Sequence, residues 1–440
     1  MMRWLVSREL ALVAGARVTW FVAAISALLV GHGFVLAVDL YSAASRTAIG
    51  QELIRAQLDP LAGIVRPTLG GLYFAAAILL PVIAARGLAI EKERGGYGAL
   101  ALRAGSTGRV VAAKHLAALA AAALLVAPPV VLFAAFVAVG GRLDPGETVI
   151  AALGHVLDLM LITSAAVAAA AATRTVAQAT VLAIALSLGS WAIDASSEFA
   201  ALAWMGTLEW ASVGKRLAPF EDGIVSLGSL GWLAVACASA TVIAQLVGRI
   251  EHTRRRWWLA GAIAALTVPL LAMLGHVHRG HDGSEHHRHS FPEAIADALR
   301  DVPGEIVVDV WLDRDDGRRT ELERGPLAKL LLARPDLELR MPLDAATASI
   351  ATRDADYGRI VVHVGDRMRE TRSSSADEIV RCILDAAGRA MPRWDEPAYP
   401  GYPFIAEGAP RTLLLLLAYV VLPLVFVALG LFTTRSRRRS

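Results

Sequence analysis

Long apolar runs, separated by short charged segments, make up most of this chain. Eight runs are long enough to span a membrane as helices, because about 20 apolar residues rising ~1.5 Å each cross roughly 30 Å of hydrocarbon. Their enrichment in Ala, Leu and Val favours helices over the alternating pattern of barrel strands. The runs cover approximately residues 18–40, 67–85, 113–139, 149–172, 176–194, 224–247, 257–277 and 412–433. The pattern predicts a polytopic α-helical membrane protein with eight transmembrane helices.

The runs divide the chain into four parts. Residues 1–250 hold six spans with short connections, preceded by a partly charged stretch that predicts an interfacial helix with Leu5 facing lipid. Residues 251–277 form a seventh span, and residues 411–440 form an eighth span with a basic tail. Between them, residues 278–410 are a polar insert.

Segments of two kinds alternate along the insert. Residues 305–312 and 357–364 are rich in β-branched side chains, as strands are, and a further strand is expected at 336–341. Residues 320–333 and 376–390 have apolar positions at helical spacing. This order predicts one α/β domain, with helices covering a small sheet.

Composition and charge agree with a membrane protein and indicate its orientation. The chain is 55% hydrophobic and 19% charged, with a formal net charge of +3. Basic residues are concentrated in segments on the side of the N-terminus, as at 254–256 and in the C-terminal tail. By the positive-inside rule, both termini lie in the cytoplasm and the insert lies outside the cytoplasmic (inner) membrane. The net charge therefore reflects topology, and no nucleic-acid partner is inferred from it.

A dense cluster of charge directly follows the second apolar run. It reads Glu91-Lys92-Glu93-Arg94-Gly95 and cannot lie in hydrocarbon, so it forms a loop at one membrane face. A helical stretch follows, and the third run opens at Lys114. Glutamates, a glycine, a short helix and a distal lysine in this order resemble the coupling-helix region of type-2 ABC exporter permeases.

The resemblance implies a cytoplasmic helix that docks onto a separate ATP-hydrolysing subunit. Glu91 and Glu93 would pair with basic groups of that subunit, and Leu100 and Leu102 would enter its surface cleft. Gly96 and Ala104 stand where the family carries threonine and proline. ATP and Mg²⁺ would be bound by the partner, and a second permease copy would complete a homodimer or heterodimer in the lipid bilayer.

The chain itself carries no nucleotide-binding loop. Gly214-Lys215 is followed by Arg216 and lacks the upstream glycine of a Walker A motif. No Ser/His/Asp or paired-carboxylate arrangement nominates a catalytic residue either. We therefore expect a transport subunit without cofactors of its own, and not an enzyme.

Three stretches of the insert resemble the extracytoplasmic domain of gliding-motility-associated (Gld) auxiliary subunits of ABC transporters. They are EIVVDVWLD (305–313), LLARPDLELR (331–340) and YGRIVVHVGDRMRE (357–370). The resemblance implies a thioredoxin-like or related α/β fold. The insert has no C-x-x-C pair, so a redox role is not expected.

The connection between the fifth and sixth runs is amphipathic, and its aromatic residues are spaced along it. Type-2 exporter permeases carry short gate helices at this place, which the stretch APFEDGIVS resembles. The candidate gate residues are Trp204, Trp210, Pro219, Phe220 and Gly223. The alternative is a passive interfacial loop anchored by its tryptophans.

Two ionisable residues, His155 and Asp158, lie three positions apart in the fourth run and so share one helix face. Ionisable groups inside a membrane usually face a bundle interior or a wet cavity. A His–Asp hydrogen bond that holds helices together is the favoured interpretation, and a proton relay is the alternative.

Histidines are concentrated where the insert begins. Neutral imidazoles bind divalent zinc, copper or nickel, so a metal site is one interpretation. Gly280 and Gly283 instead favour a solvated, flexible hinge without fixed ligand spacing. The six residues are His276, His278, His281, His286, His287 and His289.

Two functional classes follow from these patterns. The first is the permease subunit of an ABC exporter, driven by a separate ATPase. The second is a non-transporting mechanotransmission or scaffold subunit, with or without a bound metal, that passes ATP-driven movement to a periplasmic partner. A secondary transporter without any ATPase is the third alternative.

Overall fold

The computed structural model describes residues 2–195, 205, 208, 210–250, 254–313, 316–344, 356–395 and 399–436. Within them, 8 helices are long and apolar enough to cross a membrane. The prediction of a polytopic helical membrane protein is confirmed to that extent. In chain order the spans are Arg17–Thr47, Leu61–Glu93, Thr107–Ala138, Pro145–Ala172, Val176–Asp194, Leu227–Val247, Arg254–Gly275 and Gly408–Thr433.

Several spans are longer than the apolar runs that predict them. The first continues past Leu40 to Thr47, and the second continues through the charged segment to Glu93. Hydropathy detects only the part of a helix that lies in hydrocarbon, whereas backbone hydrogen bonds extend the helix into the polar interface. This extension places Glu91 and Lys92 on the last turn of a rigid helix instead of in a loop.

The fourth span is the centre of the bundle. It contacts the second, third, fifth and sixth spans. Its small side chains, among them Ala166, Ala169 and Ala170, are buried and let neighbouring backbones approach. The seventh span packs on the sixth, where Thr267 Oγ1 donates to Ser239 Oγ at 2.8 Å.

The eighth span lies against the first. His32 Nδ1 in the first span is 2.8 Å from the Tyr419 hydroxyl in the eighth. Within the chain, 61% of the apolar part of the first span is buried, whereas only 11% of the apolar part of the fifth span is buried.

The N-terminal helix, Met2–Ala14, packs on the third span. We call this end of the bundle the proximal face and the opposite end the distal face. Leu5 is fully buried, so the expectation that it faces lipid is wrong, while Trp4 is partly exposed. The helix is held by tertiary contacts in addition to any contact with the membrane surface.

The insert contains a four-stranded sheet. β3 (Ile306–Val310) is parallel to β4 (Glu338–Arg340) and antiparallel to β5 (Ile360–Val364), which pairs with β6 (Arg367–Thr371). The order across the sheet is β4-β3-β5-β6. Val308 and Val362 on the central strands are fully buried. We call this sheet and its helices the α/β unit; the helices are Glu293–Arg300, Gly317–Arg324, Pro326–Ala333 and Ala376–Ala386.

A second, two-stranded sheet joins the insert to the six-span core on the distal face. β1 (Ile224–Ser226) lies just before the sixth span, and β2 (Gly280–Asp282) lies just after the seventh. They pair antiparallel, with Val225 opposite His281. The sequence predicts that the sixth membrane-spanning helix begins here, where the structure has β1, because Ile224 and Val225 extend the hydrophobic run.

Candidate functional site

Two acidic and two basic side chains form a network on the proximal face. Lys114 Nζ lies 2.8 Å from Glu9 Oε2 and 3.6 Å from Glu91 Oε1. Arg8 completes the network with a contact of 3.1 Å to Glu91. Lys114 and Glu9 are almost fully buried, and a buried charge without its partner would cost several kcal/mol. The network therefore fixes the N-terminal helix to the second and third spans.

The next two charged residues bind the ends of neighbouring helices. Lys92 Nζ donates to the carbonyl oxygens of Ala170 at 3.0 Å and Ala171 at 2.7 Å, and also to that of Thr173. It thereby satisfies C-terminal carbonyls of the fourth span, where a positive charge is favourable. Glu93 Oε2 accepts from the Val176 backbone N–H at 3.0 Å, at the start of the fifth span.

The short helix Tyr97–Ala104 follows the charged segment; we call it the proximal helix. Tyr97 donates its hydroxyl hydrogen to the Gly248 carbonyl at the end of the sixth span. Leu100 is buried within the chain, and its entry into a partner's cleft stays a prediction. Leu102 on the opposite side is 85% exposed. A rigidly held helix thus presents one large apolar side chain to solvent.

The charged residues predicted to face a partner differ in accessibility. Glu91 and Lys114 contact each other and the N-terminal helix, and Lys92 contacts the fourth span. The Glu91 carboxylate already contacts two cations within the chain, Arg8 and Lys114, and its pairing with a partner stays a prediction. Arg94 and Gly95 are exposed at the turn before the proximal helix. Sequence reasoning missed Arg8 and Glu9, although a glutamate within a mainly apolar helix is a signal of burial with a partner.

On the distal face, the helix Val213–Glu221 lies where a gate helix is expected; we call it the distal helix. Its first turn is held by Asp194 of the fifth span, which accepts from the Ser212 hydroxyl and, at 3.1 Å, from the Gly214 N–H. Phe220 is fully buried against Gly154 of the fourth span, where a Cβ would lie 2.7 Å from the Phe220 Cβ.

The other candidate gate residues surround this helix. Pro219 is inside it, and the Trp210 carbonyl just before it accepts from Trp232 Nε1 at 3.1 Å. Gly223 follows it with a φ of 76°, a backbone conformation that favours glycine. Trp204 lies outside the described residues.

An ion-pair cluster ties the last turn of the distal helix to the bundle. Arg66 of the second span lies 3.0 Å from Asp222 and 3.7 Å from Glu221, and His155 Nε2 lies 3.2 Å from Glu221. Burial acts to raise the pKa of Glu221, but the adjacent His155 and Arg66 outweigh it and lower that pKa. The carboxylate form is therefore favoured here.

The predicted His155–Asp158 hydrogen bond is wrong, because His155 turns to Glu221 instead. Residues three apart on a helix share a face, but a third residue from another element can compete for the same partner. Asp158 is buried in the fourth span, and no described residue donates a hydrogen bond to it. Proton relay through this pair stays a prediction.

Beside β1 and β2, a second set of charges joins the core to the insert. Glu147 Oε2, at the start of the fourth span, accepts from the Glu285 N–H at 3.1 Å and from Arg288 at 3.0 Å. Arg288 also lies 3.0 Å from Asp59, and Glu147 is almost fully buried. We call β1, β2 and these four residues the distal junction.

The segment that connects the α/β unit to the eighth span also packs on the six-span core. Tyr402 donates to Glu285 at 2.6 Å, and its carbonyl accepts from the Tyr41 hydroxyl of the first span at 2.8 Å. Phe404 packs on Phe136 of the third span with ring centroids 4.7 Å apart. Both connections of the α/β unit are therefore fixed to the bundle.

The histidine-rich segment forms a hydrogen-bonded turn in which five of the six histidines are exposed, and its flexibility stays a prediction. Asp282 is buried and accepts from the backbone N–H groups of Ser284 at 2.9 Å and His289 at 3.0 Å. Among the described residues, no group of three or more His, Cys, Asp or Glu side chains is arranged to hold a metal ion. Metal binding stays a prediction for His276, His278, His281, His286, His287 and His289.

Comparison with protein-family models, with curated proteins and with solved structures finds no match to this chain. The functional argument therefore rests on the residues and contacts described above.

Proposed function

We propose that this chain is the membrane-spanning permease subunit of an ABC transporter of the exporter type. A separate ATPase subunit binds the proximal face, which is cytoplasmic by the positive-inside rule, and a second permease copy completes the pathway. The α/β unit is then extracytoplasmic. Its sheet order and strand directions agree with the thioredoxin-like arrangement that the sequence resemblance implies.

The observation that carries this proposal is how the proximal helix and the helical turn before it are held. Tyr97 of the proximal helix binds the end of the sixth span, and Lys92 and Glu93 in the preceding turn bind the ends of the fourth and fifth spans. A force on the exposed side of the proximal helix, at Leu102, would therefore reach the sixth span directly and the fourth and fifth spans through that turn. An isolated charged loop would transmit no such force, because its side chains would be solvated instead of bonded to span ends.

Co-purification with the ATP-binding subunit tests the proposal. Leu102→Glu places a charge in the proposed interface, where a desolvated unpaired charge costs about 2–5 kcal/mol of binding. We expect the ATPase to be lost from the purified complex. Leu53→Glu is the matched control, because Leu53 is 87% exposed on the distal face. Retention of the ATPase by the Leu102 variant would contradict the proposed interface.

The distal junction favours the alternative output, in which movement is passed to the α/β unit and no solute is carried. β1 directly follows the distal helix and pairs with β2, so a shift of that helix is passed to the insert. Spin labels at Leu53 and at exposed Met368 on β6 measure this movement in the complex with the ATPase. The mechanotransmission reading predicts an ATP-dependent change of distance without solute flux.

A further inference from the structure

A cleft of about 790 Å³ opens on the proximal face. It lies between the proximal helix, the C-terminal ends of the fourth and sixth spans, and the start of the seventh span. All charged side chains among the described lining residues are basic. Like charges confined in one cleft repel each other unless an anion neutralises them. The five basic residues that line the cleft are Lys92, Arg174, Arg249, Arg254 and Arg256.

Two of these cations are already bonded to the protein. Lys92 binds three carbonyl oxygens of the fourth-span terminus, and Arg256 donates to the Arg249 carbonyl. Arg174, Arg249 and Arg254 are different, because their residues are exposed and none forms an ion pair with a described residue. Among the described residues, these three guanidinium groups therefore have no ion-pair partner.

Guanidinium groups bind phosphate oxygens through paired N–H donors, so a phosphate is the anion that this lining fits best. The surface beside the cleft is apolar. Trp257, Trp258 and Leu259, at the start of the seventh span, are 49%, 73% and 44% exposed. Tryptophans at a span end favour the membrane interface, and the apolar side of the helix offers a path for acyl chains.

We propose that this basic cleft binds the phosphate headgroup of an anionic phospholipid from the proximal leaflet. A basic pocket between spans, combined with an adjacent apolar helix face, fits a ligand with an anionic head and apolar tails. A soluble anion would use the arginines alone. The bound lipid would bridge the ends of the fourth and sixth spans to the seventh span, which leads to the α/β unit. The site does not depend on the ATPase, so it can be tested on the purified subunit.

Native mass spectrometry of the full chain, with equal amounts of phosphatidylglycerol and phosphatidylcholine, tests the site. The variant R174Q/R249Q/R254Q removes the three available cations. The control R3Q/R17Q/R86Q removes the same charge from the same face outside the cleft. We expect wild type and control to retain phosphatidylglycerol preferentially. Each lost arginine weakens binding about fivefold, so the cleft variant binds on the order of 100-fold more weakly.

Three results would overturn the proposal. The first is equal retention of the two lipids by the wild type. The second is an equal loss of phosphatidylglycerol in the control variant, which would indicate general surface charge. The third is stabilisation of the protein against heat by inorganic phosphate to the same extent as by phosphatidylglycerol, which would assign the cleft to a soluble anion.

Discussion

Lys114 and Glu9 are separated by more than a hundred positions in sequence, yet their charged atoms lie 2.8 Å apart and both side chains are almost fully buried. This contact joins the N-terminal helix to the third span directly beneath the segment that leads to the proximal helix. Replacing one partner leaves the other charge buried and uncompensated.

We expect Lys114→Met to lower the free energy of unfolding by about 3–5 kcal/mol, because Glu9 and Glu91 both lose a cation. The double variant Glu9→Gln with Lys114→Met should lose less, since no charge is then left without a partner. Arg3→Met, which removes an exposed cation from the same face, is the control. Denaturant titration of the purified variants measures the differences, and equal losses in the single and double variants would argue against a coupled pair.

A second prediction concerns the packing of Phe220, in the distal helix, against Gly154. Gly154→Ala places a methyl group 2.7 Å from the Phe220 Cβ, so the helix must shift, at a cost of about 1–3 kcal/mol. Gly189→Ala in the fifth span meets nothing within 4 Å and should be neutral or slightly stabilising. Thermal unfolding of the two variants separates these outcomes. Similar melting temperatures for both variants would show that Phe220 is not closely packed against Gly154.

A third prediction concerns pH. His155 and Arg66 lower the pKa of Glu221 from its ordinary value of 4.5 in spite of burial. Stabilisation by the carboxylate is therefore fully present above pH 4.5 and is lost as the pH falls through the lowered pKa. The melting temperature of wild type should exceed that of Glu221→Gln at neutral pH, and the gap should shrink in acid. A difference in melting temperature that stays constant across this range would contradict the assignment. The control is Glu293→Gln at an exposed position, for which a constant difference is expected.

A fourth prediction concerns the distal junction. Arg288→Met leaves Glu147 buried without its cation and should increase amide hydrogen exchange at β1 and β2. Arg300→Met is a matched control, because Arg300 and Asp297 form an exposed pair within one helix of the α/β unit. Such a pair contributes at most about 1 kcal/mol. Unchanged protection of residues 223–226 in the Arg288 variant would mean that the strands alone hold the junction.

The spans are predictable from sequence because membrane crossing depends on a local property, the length of apolar helix. Strands β3 and β5 are predictable for a similar reason, since their buried faces are β-branched. β6 was missed because Arg367, Met368, Arg369 and Glu370 are all exposed and show no apolar face. It forms as the partner of β5 across a tight turn, which only the fold reveals.

The pairing of charged side chains is the feature that the sequence predicts least well. Glu91 lies among residues that resemble a docking segment, but it pairs with Arg8 and Lys114. His155 likewise pairs with Glu221 across more than sixty positions instead of with nearby Asp158. Such pairings depend on how helices are arranged in three dimensions, which the spacing along one helix does not encode.

The central claim is that the proximal helix binds an ATPase subunit through Leu102. A photo-reactive amino acid at position 102 tests it most directly, with the same amino acid at exposed position 53 as the control. After illumination in cells, we predict that position 102 cross-links to a protein with a Walker A loop and that position 53 does not. Cross-linking of position 102 only to lipid, or to a protein without a nucleotide-binding loop, would contradict the account.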